Sequence, residues 1–230
     1  MNLDWMGFML WGGILEGGPP AGLLVNVALA LTTFSVGLLL AIPLALIRSG
    51  SYGVLRLLAR GYVETIRGTP LLLLVFWSHF LIPMFFPDVL PIVGATIALS
   101  LYASAYLTEI LRAGLNNVAA GEIEAAHAAG LSPRQVTWLL RVPQALRGMF
   151  PTELSFLISL FKDTSVVYLV GVVDLMQSGL IAAERQPSEA VLTYITLGAL
   201  FFVASSGLLL MGKTLERHGR LAFRATHLKL

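Results

Sequence analysis

The stretch Glu122–Pro143, EIEAAHAAGLSPRQVTWLLRVP, decides how this chain is organised. It is polar and carries charges, whereas the sequence on either side of it consists of long apolar runs. Glu and Ala are strong helix formers, and acidic residues in a first turn complement the helix dipole. A short helix between two membrane spans presents a surface to the aqueous phase. The stretch therefore predicts a surface on which another molecule docks, with an ordinary amphipathic loop as the alternative.

Two local signals divide this stretch into a helix, a turn and a second helix. Gly130 can end the first helix, since glycine adopts the left-handed conformation without strain. Ser132 and Pro133 then suit the N-cap and the first position of a second helix. We expect this second helix to continue to Arg141, before Pro143 interrupts it.

The composition points to an integral membrane protein. The chain has 230 residues, of which 57% are hydrophobic and 12% charged, whereas soluble domains carry about 25% charged residues. The absence of Cys excludes disulfides and thiolate metal sites, and we expect no metal and no cofactor on this chain. The net charge of +2 is not gathered into a face for nucleic acid. Because Asp4 and Glu16 replace a basic leader, we expect no cleaved signal peptide.

We predict an all-α integral membrane fold that forms a single domain over residues 1–230. Five segments are long and apolar enough to cross about 30 Å of hydrocarbon, and backbone groups in lipid are satisfied inside helices. The five predicted transmembrane helices cover residues 22–47, 62–86, 92–111, 149–173 and 190–212. Residues 116–143 form a long polar connection between the third and fourth spans.

Lys and Arg are concentrated in alternate connections, which predicts the orientation. They lie between spans one and two, between spans three and four, and in the tail: Arg48, Arg56, Arg60, Arg112, Arg134, Arg141, Arg147, Lys213, Arg217, Arg220, Arg224 and Lys229. The first twenty residues hold no basic residue, and the connection between spans two and three carries Asp88 as its charge. Cytoplasmic loops carry the excess of Lys and Arg. We therefore predict an external N-terminus, with the C-terminus and segment 116–143 in the cytoplasm.

The polar connection resembles the EAA motif of bacterial ABC-importer permeases. The matching elements, in chain order, are Glu124-Ala125-Ala126, Gly130 and Leu140-Arg141-Val142-Pro143. The family pattern has Ile and Leu where this chain has Leu140 and Val142, and both exchanges are conservative. Further segments resemble the polar amino-acid branch: Gly61–Glu64, Arg67–Pro70, Pro143–Arg147 and Phe161–Ser165. Within that branch, three segments resemble glutamate/aspartate permeases: Phe76–Pro83, Asp163–Tyr168 and Glu184-Arg185.

This resemblance implies a type I ABC importer permease fold with a cytoplasmic coupling helix. Carried over residue by residue, Glu124, Ala125, Ala126 and Gly130 would form the surface that docks on a separate ATPase subunit. Leu131 and Ser132 would shape the turn, and Pro143 would close the motif. The chain would then be a transport subunit and not an enzyme, with ATP bound by its partner.

The resemblance also implies the other partners. Five spans do not comfortably enclose a pathway, so a second permease subunit, homologous or identical, is expected. A periplasmic or surface-anchored binding protein would deliver the substrate, for which acidic amino acids are the preferred interpretation. The protein would lie among the lipids of the bacterial cytoplasmic (inner) membrane and would bind no nucleic acid.

Residues Gly207–Thr214 match the phosphate-loop pattern G-x-x-x-x-G-K-T letter for letter. That motif works only between a strand and a helix, where its backbone amides cradle phosphate. Here the intervening residues are Leu and Met at the end of an apolar run, and Lys213 suits a membrane boundary. We therefore interpret the match as accidental.

Polar residues recur along one face of the fourth predicted span. Thr152, Ser155, Ser159 and Lys162 follow each other at spacings of three and four residues, and Asp163 adjoins them. Ionisable groups inside a membrane are costly and are candidates for function. This face can line a polar substrate path, with Lys162 facing a substrate carboxylate. Alternatively, these side chains hold span four to a neighbouring helix.

Two acid–base pairs are spaced to interact on their own helices. Glu109 with Arg112, and Glu64 with Arg67, lie three residues apart, which favours a structural role. Glu109 is nevertheless a further candidate for the substrate path.

A proton-coupled secondary transporter, with Lys162 and Asp163 as its relay, is the rival class of protein. The odd number of spans, with no visible inverted repeat, counts against it.

Overall fold

The computed structural model describes residues 3–14, 17–50 and 53–227, and the regular elements in these ranges are helices. The α-helices are α1 (Leu3–Trp11), α2 (Leu23–Ser49), α3 (Gly53–Gly68), α4 (Leu71–Phe85), α5 (Pro91–Asn116), α6 (Ala120–Ala128), α7 (Pro133–Gln135), α8 (Val142–Asp163), α9 (Leu175–Arg185) and α10 (Ala190–His227). A π-helical segment, Val136–Arg141, joins α7 to α8, and a 3₁₀ segment, Thr164–Val170, follows α8. A further 3₁₀ turn, Pro187–Glu189, precedes α10.

The centre of the molecule is the contact between α2 and α5. The two helices approach closely at Gly37, where an added Cβ would lie 2.7 Å from the Cβ of Ala103 and 3.0 Å from the backbone N of Ser104. Small residues allow this approach, as is common between helices in membranes. The main apolar core, formed by residues of α2, α4, α5, α8 and the 3₁₀ segment after α8, surrounds this contact.

Three helical stretches in the described part of the chain are long and apolar enough to cross a membrane: Leu23–Ser49, Pro91–Asn116 and Pro187–Thr214. They correspond to the first, third and fifth predicted spans. Side chains such as Phe202 and Met84 lie 72% and 74% exposed, as expected for surfaces that face lipid.

The second predicted span is not one continuous helix over residues 62–86. Its first residues belong to α3 and the remainder to α4, and the two helices meet at an angle of 103°. Pro70 explains the break, because a proline disfavours helical conformation in the residue before it and cannot donate a backbone hydrogen bond. Counted as one bent span, the pair would raise the number of candidate crossings in the described residues to four.

The fourth predicted span, residues 149–173, does not meet the same criterion of length and apolarity in the described structure. Its α-helix ends at Asp163, a 3₁₀ segment follows, and Gly171 then adopts a left-handed conformation with φ of 85°. The polar residues Glu153, Lys162 and Asp163 lower its apolarity. The count of five spans therefore stays a prediction.

Pro143 does not interrupt the second helix of the polar connection, contrary to the sequence-based prediction. The chain remains helical from Pro133 through to Asp163. The π segment Val136–Arg141 ends two residues before the proline, which then occupies the first turn of α8. A proline disrupts α-helical hydrogen bonding, and the π segment has already replaced that pattern here, with the N–H of Val142 donating to Thr137 O.

A buried polar network joins the beginning of α2 to the ends of the segment between α8 and α9. The amide of Asn26, which is fully buried, donates to Thr164 Oγ1 at 3.0 Å and to Asp174 Oδ2 at 3.0 Å. Its oxygen accepts from the backbone N–H of Leu175 at 2.9 Å, and the N–H of Gln177 donates to Asp174 Oδ1 at 2.9 Å. We call Asn26, Thr164 and Asp174 the Asn26 network. Every polar atom of the Asn26 side chain is thus used by a partner distant in sequence.

Candidate coupling surface and substrate path

Helix α6 has no buried residue along its nine positions. Glu124 and Ala125 are exposed and Ala126 is half-buried, so the predicted docking residues lie at the surface. A helix this short is unstable alone in water and normally owes its stability to packing. Its exposed small side chains leave room for a partner to approach closely.

The turn after α6 forms around Gly130, as the sequence predicts. Gly130 has φ of 87°, and its N–H donates to His127 O at 2.9 Å. The N–H of Leu131 donates to Ala126 O at 3.1 Å, which completes the two-bond ending characteristic of a Schellman motif. No atom outside its immediate neighbours lies within 4 Å of a Cβ added to Gly130, so this turn is open to the surroundings.

Ser132 starts the next helix by a reciprocal cap, which confirms its predicted position as N-cap. The N–H of Ser132 donates to Gln135 Oε1 at 2.9 Å, and Ser132 Oγ accepts from the N–H of Gln135 at 3.4 Å. Pro133 follows at the first helical position. The direction of the chain leaving the turn is therefore defined by local hydrogen bonds.

Two contacts attach this exposed segment to the membrane helices, and sequence reasoning missed both. Arg141 donates from Nη2 to Leu115 O at 2.9 Å and to Asn116 Oδ1 at 3.2 Å, at the end of α5. Gln144 on α8 donates to Glu122 Oε2 on α6 at 2.6 Å. The unsatisfied carbonyls at the end of α5 were the one available signal that a donor was needed there. Pro143, between these two residues, is half-buried.

The predicted polar stripe on α8 does share one face of the helix, and that face is exposed. Thr152, Ser155, Ser159 and Lys162 are all exposed, and Asp163 beside them is half-buried. Ser155 Oγ donates to Pro151 O of its own helix at 2.9 Å. Within the described residues, Lys162 has no ion-pair partner within 4 Å. In the part of the chain that the structure describes, Thr152, Ser155, Ser159 and Lys162 make no side-chain hydrogen bond or ion pair to another helix.

Glu109 lies in an ionic cluster instead of on that face. It forms salt bridges with Arg48 of α2 and with Arg112, whose Nη2 lies 2.9 Å from Glu109 Oε2. We call Arg48, Glu109 and Arg112 the Glu109 cluster. The predicted pairing of Glu109 with Arg112 is confirmed, and the contact with Arg48 adds a link between α2 and α5.

A cavity of about 530 Å³ lies between the end of α5 and the beginning of α8. Glu109 and Thr152 are both in its wall, so the structure brings together these two polar residues. Ser155, Ser159 and Lys162 are not part of this wall.

The predicted pair of Glu64 with Arg67 is wrong. Glu64 pairs with Arg60, at 2.7 Å between Nε and Oε1, because both partners lie one turn apart on the exposed side of α3. The guanidinium of Arg67 instead lies 5.2 Å from the centre of the Tyr106 ring. Tyr106 in turn stacks on Phe156 of α8, with 5.7 Å between ring centres.

Residues Gly207–Thr214 lie inside α10. Their backbone N–H groups are used within a continuous helix and cannot form the loop that cradles phosphate. The interpretation of this match as accidental agrees with that conformation.

Known proteins resemble this chain over most of its length. Residues 36–217 match a family described as binding-protein-dependent transport system inner membrane component. The chain is 30% identical over 217 residues to the glutamate/aspartate import permease protein GltK of Escherichia coli O6:H1, covering 90% of this chain and 96% of the relative. It is 33% identical over 197 residues to the probable glutamine ABC transporter permease protein GlnP of Bacillus subtilis strain 168, covering 85% and 90%.

A solved structure gives a similar result. The crystal structure of an amino acid ABC transporter with histidines superposes with a TM-score of 0.80 and 25% identity. The match covers 95% of this chain and 100% of that one. The similarity is therefore a property of the complete fold and not of one motif.

Proposed function

Since this chain belongs to the family of binding-protein-dependent transport system inner membrane components, we propose that it is the permease subunit of an ATP-driven ABC importer of amino acids. Its substrates would be acidic amino acids. Family membership does not favour the rival reading of a proton-coupled secondary transporter. The protein is a multi-pass protein of the inner membrane, and the Lys and Arg distribution supports an external N-terminus and a cytoplasmic α6.

The observation that carries this function is the exposed helix α6 with its open turn at Gly130. A separate ATPase subunit would receive α6, and Glu124, Ala125 and Ala126 would lie against it. Leu131 and Ser132 would orient the turn. ATP would be bound and hydrolysed by that partner, and this chain would supply no catalytic group.

The contacts of Arg141 and Gln144 suggest how the movement of α6 reaches the membrane. Arg141 connects the π segment to the end of α5, and Gln144 connects α8 to α6. A displacement of α6 by the ATPase would therefore act on α5 and α8 together. Alternating access would follow from the resulting shift of these helices against a second permease subunit, homologous or identical to this one.

The exposed face of α8 is the candidate lining of the path between two such subunits. Ser155 and Ser159 offer hydroxyls, Lys162 offers a cation, and Asp163 can face the ammonium group of an amino acid. Glu109, held by two arginines, lies apart from this face, in the wall of the cavity between α5 and α8. An acidic substrate is favoured by the cation at Lys162 and by the relative named for glutamate/aspartate import. A periplasmic or surface-anchored binding protein would deliver it.

The coupling role is tested with Gly130→Asp in the reconstituted complex with its ATPase. In the described structure, a Cβ added to Gly130 has no atom within 4 Å beyond its immediate neighbours, so a folded subunit with weakened ATPase copurification and lost transport is expected. Gly130→Ala is the control, because it carries the strain of a left-handed residue without charge or length. Normal copurification and stimulation in Gly130→Asp would show that this turn does not contact the ATPase.

The path is tested with Lys162→Gln, for which we expect lost or altered transport while the complex still assembles. Unchanged transport would place the path elsewhere. The substrate class is measured by asking which amino acid, supplied with its binding protein, stimulates ATP hydrolysis. Stimulation by glutamine or arginine but not by glutamate or aspartate would overturn the acidic assignment.

A further inference from the structure

A cavity of about 510 Å³ lies between α3 and the facing ends of α2 and α5. This volume is in the range of ligand pockets. Its wall carries three arginines of α3, Arg56, Arg60 and Arg67, together with Arg48 and Arg112 from the other two helices. The lining of this cavity includes no residue of α6 or of the turn at Gly130.

The positive charges of this cavity are only partly compensated by its own acids. Glu109 is shared by two of the arginines, and Glu64 pairs with Arg60. Five arginines against two glutamates leave three positive charges on the wall. Within the described residues, Arg56 has no ion-pair partner within 4 Å. Such an excess of like charge favours the binding of an anion.

Helix α3 has the distribution of side chains expected for a helix lying in a membrane surface. Its arginines follow one side, while Val54, Leu57 and Leu58 on another side are 73%, 68% and 64% exposed. Ala59 and Val63 are its buried residues. Because α3 is nearly perpendicular to α4, at 103°, it runs along the bilayer if α4 crosses it. Amphipathic helices with basic and apolar faces bind in this position.

We propose that the cavity binds the phosphate group of an anionic phospholipid, whose acyl chains lie along the exposed leucines of α3. The guanidinium groups donate hydrogen bonds in pairs to phosphate oxygens. Free phosphate shares the headgroup chemistry but has no chains to cover Leu57 and Leu58, so the lipid is the favoured ligand. Such a lipid site would be independent of the transport function and of the identity of the substrate.

The test uses the complete permease complex in mild detergent, titrated with dioctanoyl phosphatidylglycerol, dioctanoyl phosphatidylcholine or inorganic phosphate. Bound lipid is counted by native mass spectrometry, and Tm is recorded in parallel. We expect phosphatidylglycerol to bind at least tenfold more tightly than phosphatidylcholine, and to raise Tm where phosphate at equal concentration does not. An equal effect of phosphate would show a free-anion site, and equal binding of the two lipids would show nonspecific lipid contact. Either result overturns the proposal.

The double variant Arg56→Gln/Arg60→Gln is expected to lose the preference for phosphatidylglycerol. Arg134→Gln/Lys213→Gln removes the same charge from exposed positions outside the cavity and should keep the preference. If the first variant does not fold, the lipid preference of the wild-type complex is measured in about 0.5 M salt instead. Screening at this salt concentration should abolish a preference that is based on these charges. A preference that persists in the first variant or in high salt would overturn the proposal.

Discussion

The two ends of α2 are held by different kinds of contact. Near its beginning, the Asn26 network is completely buried and combines an amide, a hydroxyl and one carboxyl. Near its end, the Glu109 cluster consists of charged groups whose side chains are 12%, 19% and 35% exposed for Arg48, Glu109 and Arg112. Asn26 and Arg48 are 22 positions apart on α2, which corresponds to about 33 Å of helix.

This difference indicates which end can change its contacts. A buried polar group that loses its partner costs the full desolvation of that group, so the Asn26 network has no inexpensive alternative arrangement. The Glu109 cluster is partly hydrated, since Arg112 is 35% exposed, so water can replace part of a lost contact there. For an importer permease, the Asn26 end would stay fixed while the Glu109 end rearranges.

The largest expected effect is that of Asn26→Leu. The substitution preserves volume but leaves Asp174 Oδ2 and the N–H of Leu175 without their Asn26 partner, which should lower the free energy of unfolding by about 3 kcal/mol or more. Thermal unfolding of the purified subunit measures it. Thr33→Val is the matched control, because Thr33 is equally buried but donates only within its own helix, to Leu29 O. Equal losses of stability in the two variants would show that the Asn26 network contributes no more than a buried hydrogen bond within one helix.

Glu109→Gln should cost less, about 2 kcal/mol, because the two arginines it leaves are partly hydrated. The difference in Tm between wild type and variant should shrink as salt is raised, since screening weakens the wild-type contact. If Glu109→Gln loses as much stability as Asn26→Leu, and the loss does not depend on salt, the two ends of α2 are held equally firmly.

The Asn26 network should also respond to pH. Burial raises the pKa of Asp174, in the connection between α8 and α9, to about 6, against about 3.9 in an unfolded chain. The native state therefore holds this proton more tightly, so the stability from protonation is complete below about pH 4 and is lost as pH rises through 6. Unfolding should require about 1.4 kcal/mol more at pH 5 than at pH 7.5.

Denaturant unfolding at the two pH values measures this change. In Asp174→Asn, which cannot titrate, the corresponding difference should vanish. A difference that survives there would belong to another group.

The smallest expected effect is that of Glu64→Gln. Glu64 and Arg60 form an exposed pair, with side chains 57% and 64% exposed, and such pairs contribute less than about 0.5 kcal/mol. Tm should therefore stay within error of the wild type. A loss comparable to that of Glu109→Gln would mean that exposure does not distinguish the two ion pairs.

Local chemistry predicted part of the structure well. The left-handed Gly130 and the N-cap at Ser132 follow from the backbone preferences of these two residues, and no distant contact competes with them. The shared polar face on α8 follows in the same way from helical spacing, since the helix is regular from Val142 to Asp163. The family resemblance added the expectation of a permease, which the comparisons support over most of the chain.

The rest depends on contacts between residues far apart in sequence. Asn26 meets partners 138 and 148 positions away, and Arg48 meets Glu109 61 positions away. Spacing alone allowed Glu64 to pair with either Arg60 or Arg67; in the structure Glu64 pairs with Arg60, and Arg67 lies over the Tyr106 ring. The break between α3 and α4 at Pro70 was not predicted, because residues 62–86 read as one apolar segment.

The π segment before Pro143 holds an extra residue within the helix that leads from the coupling turn into α8. Each π turn accommodates one residue more than an α turn. Deleting one residue from Val136–Arg141 would therefore restore α-helical bonding and leave Gly130 and α6 facing nearly the same direction relative to α8. Deleting one residue from the regular part of α8 would instead rotate α6 by about 100° about the helix axis. The π segment is thus a stretch in which the length of the chain can change while the direction of the coupling helix is kept.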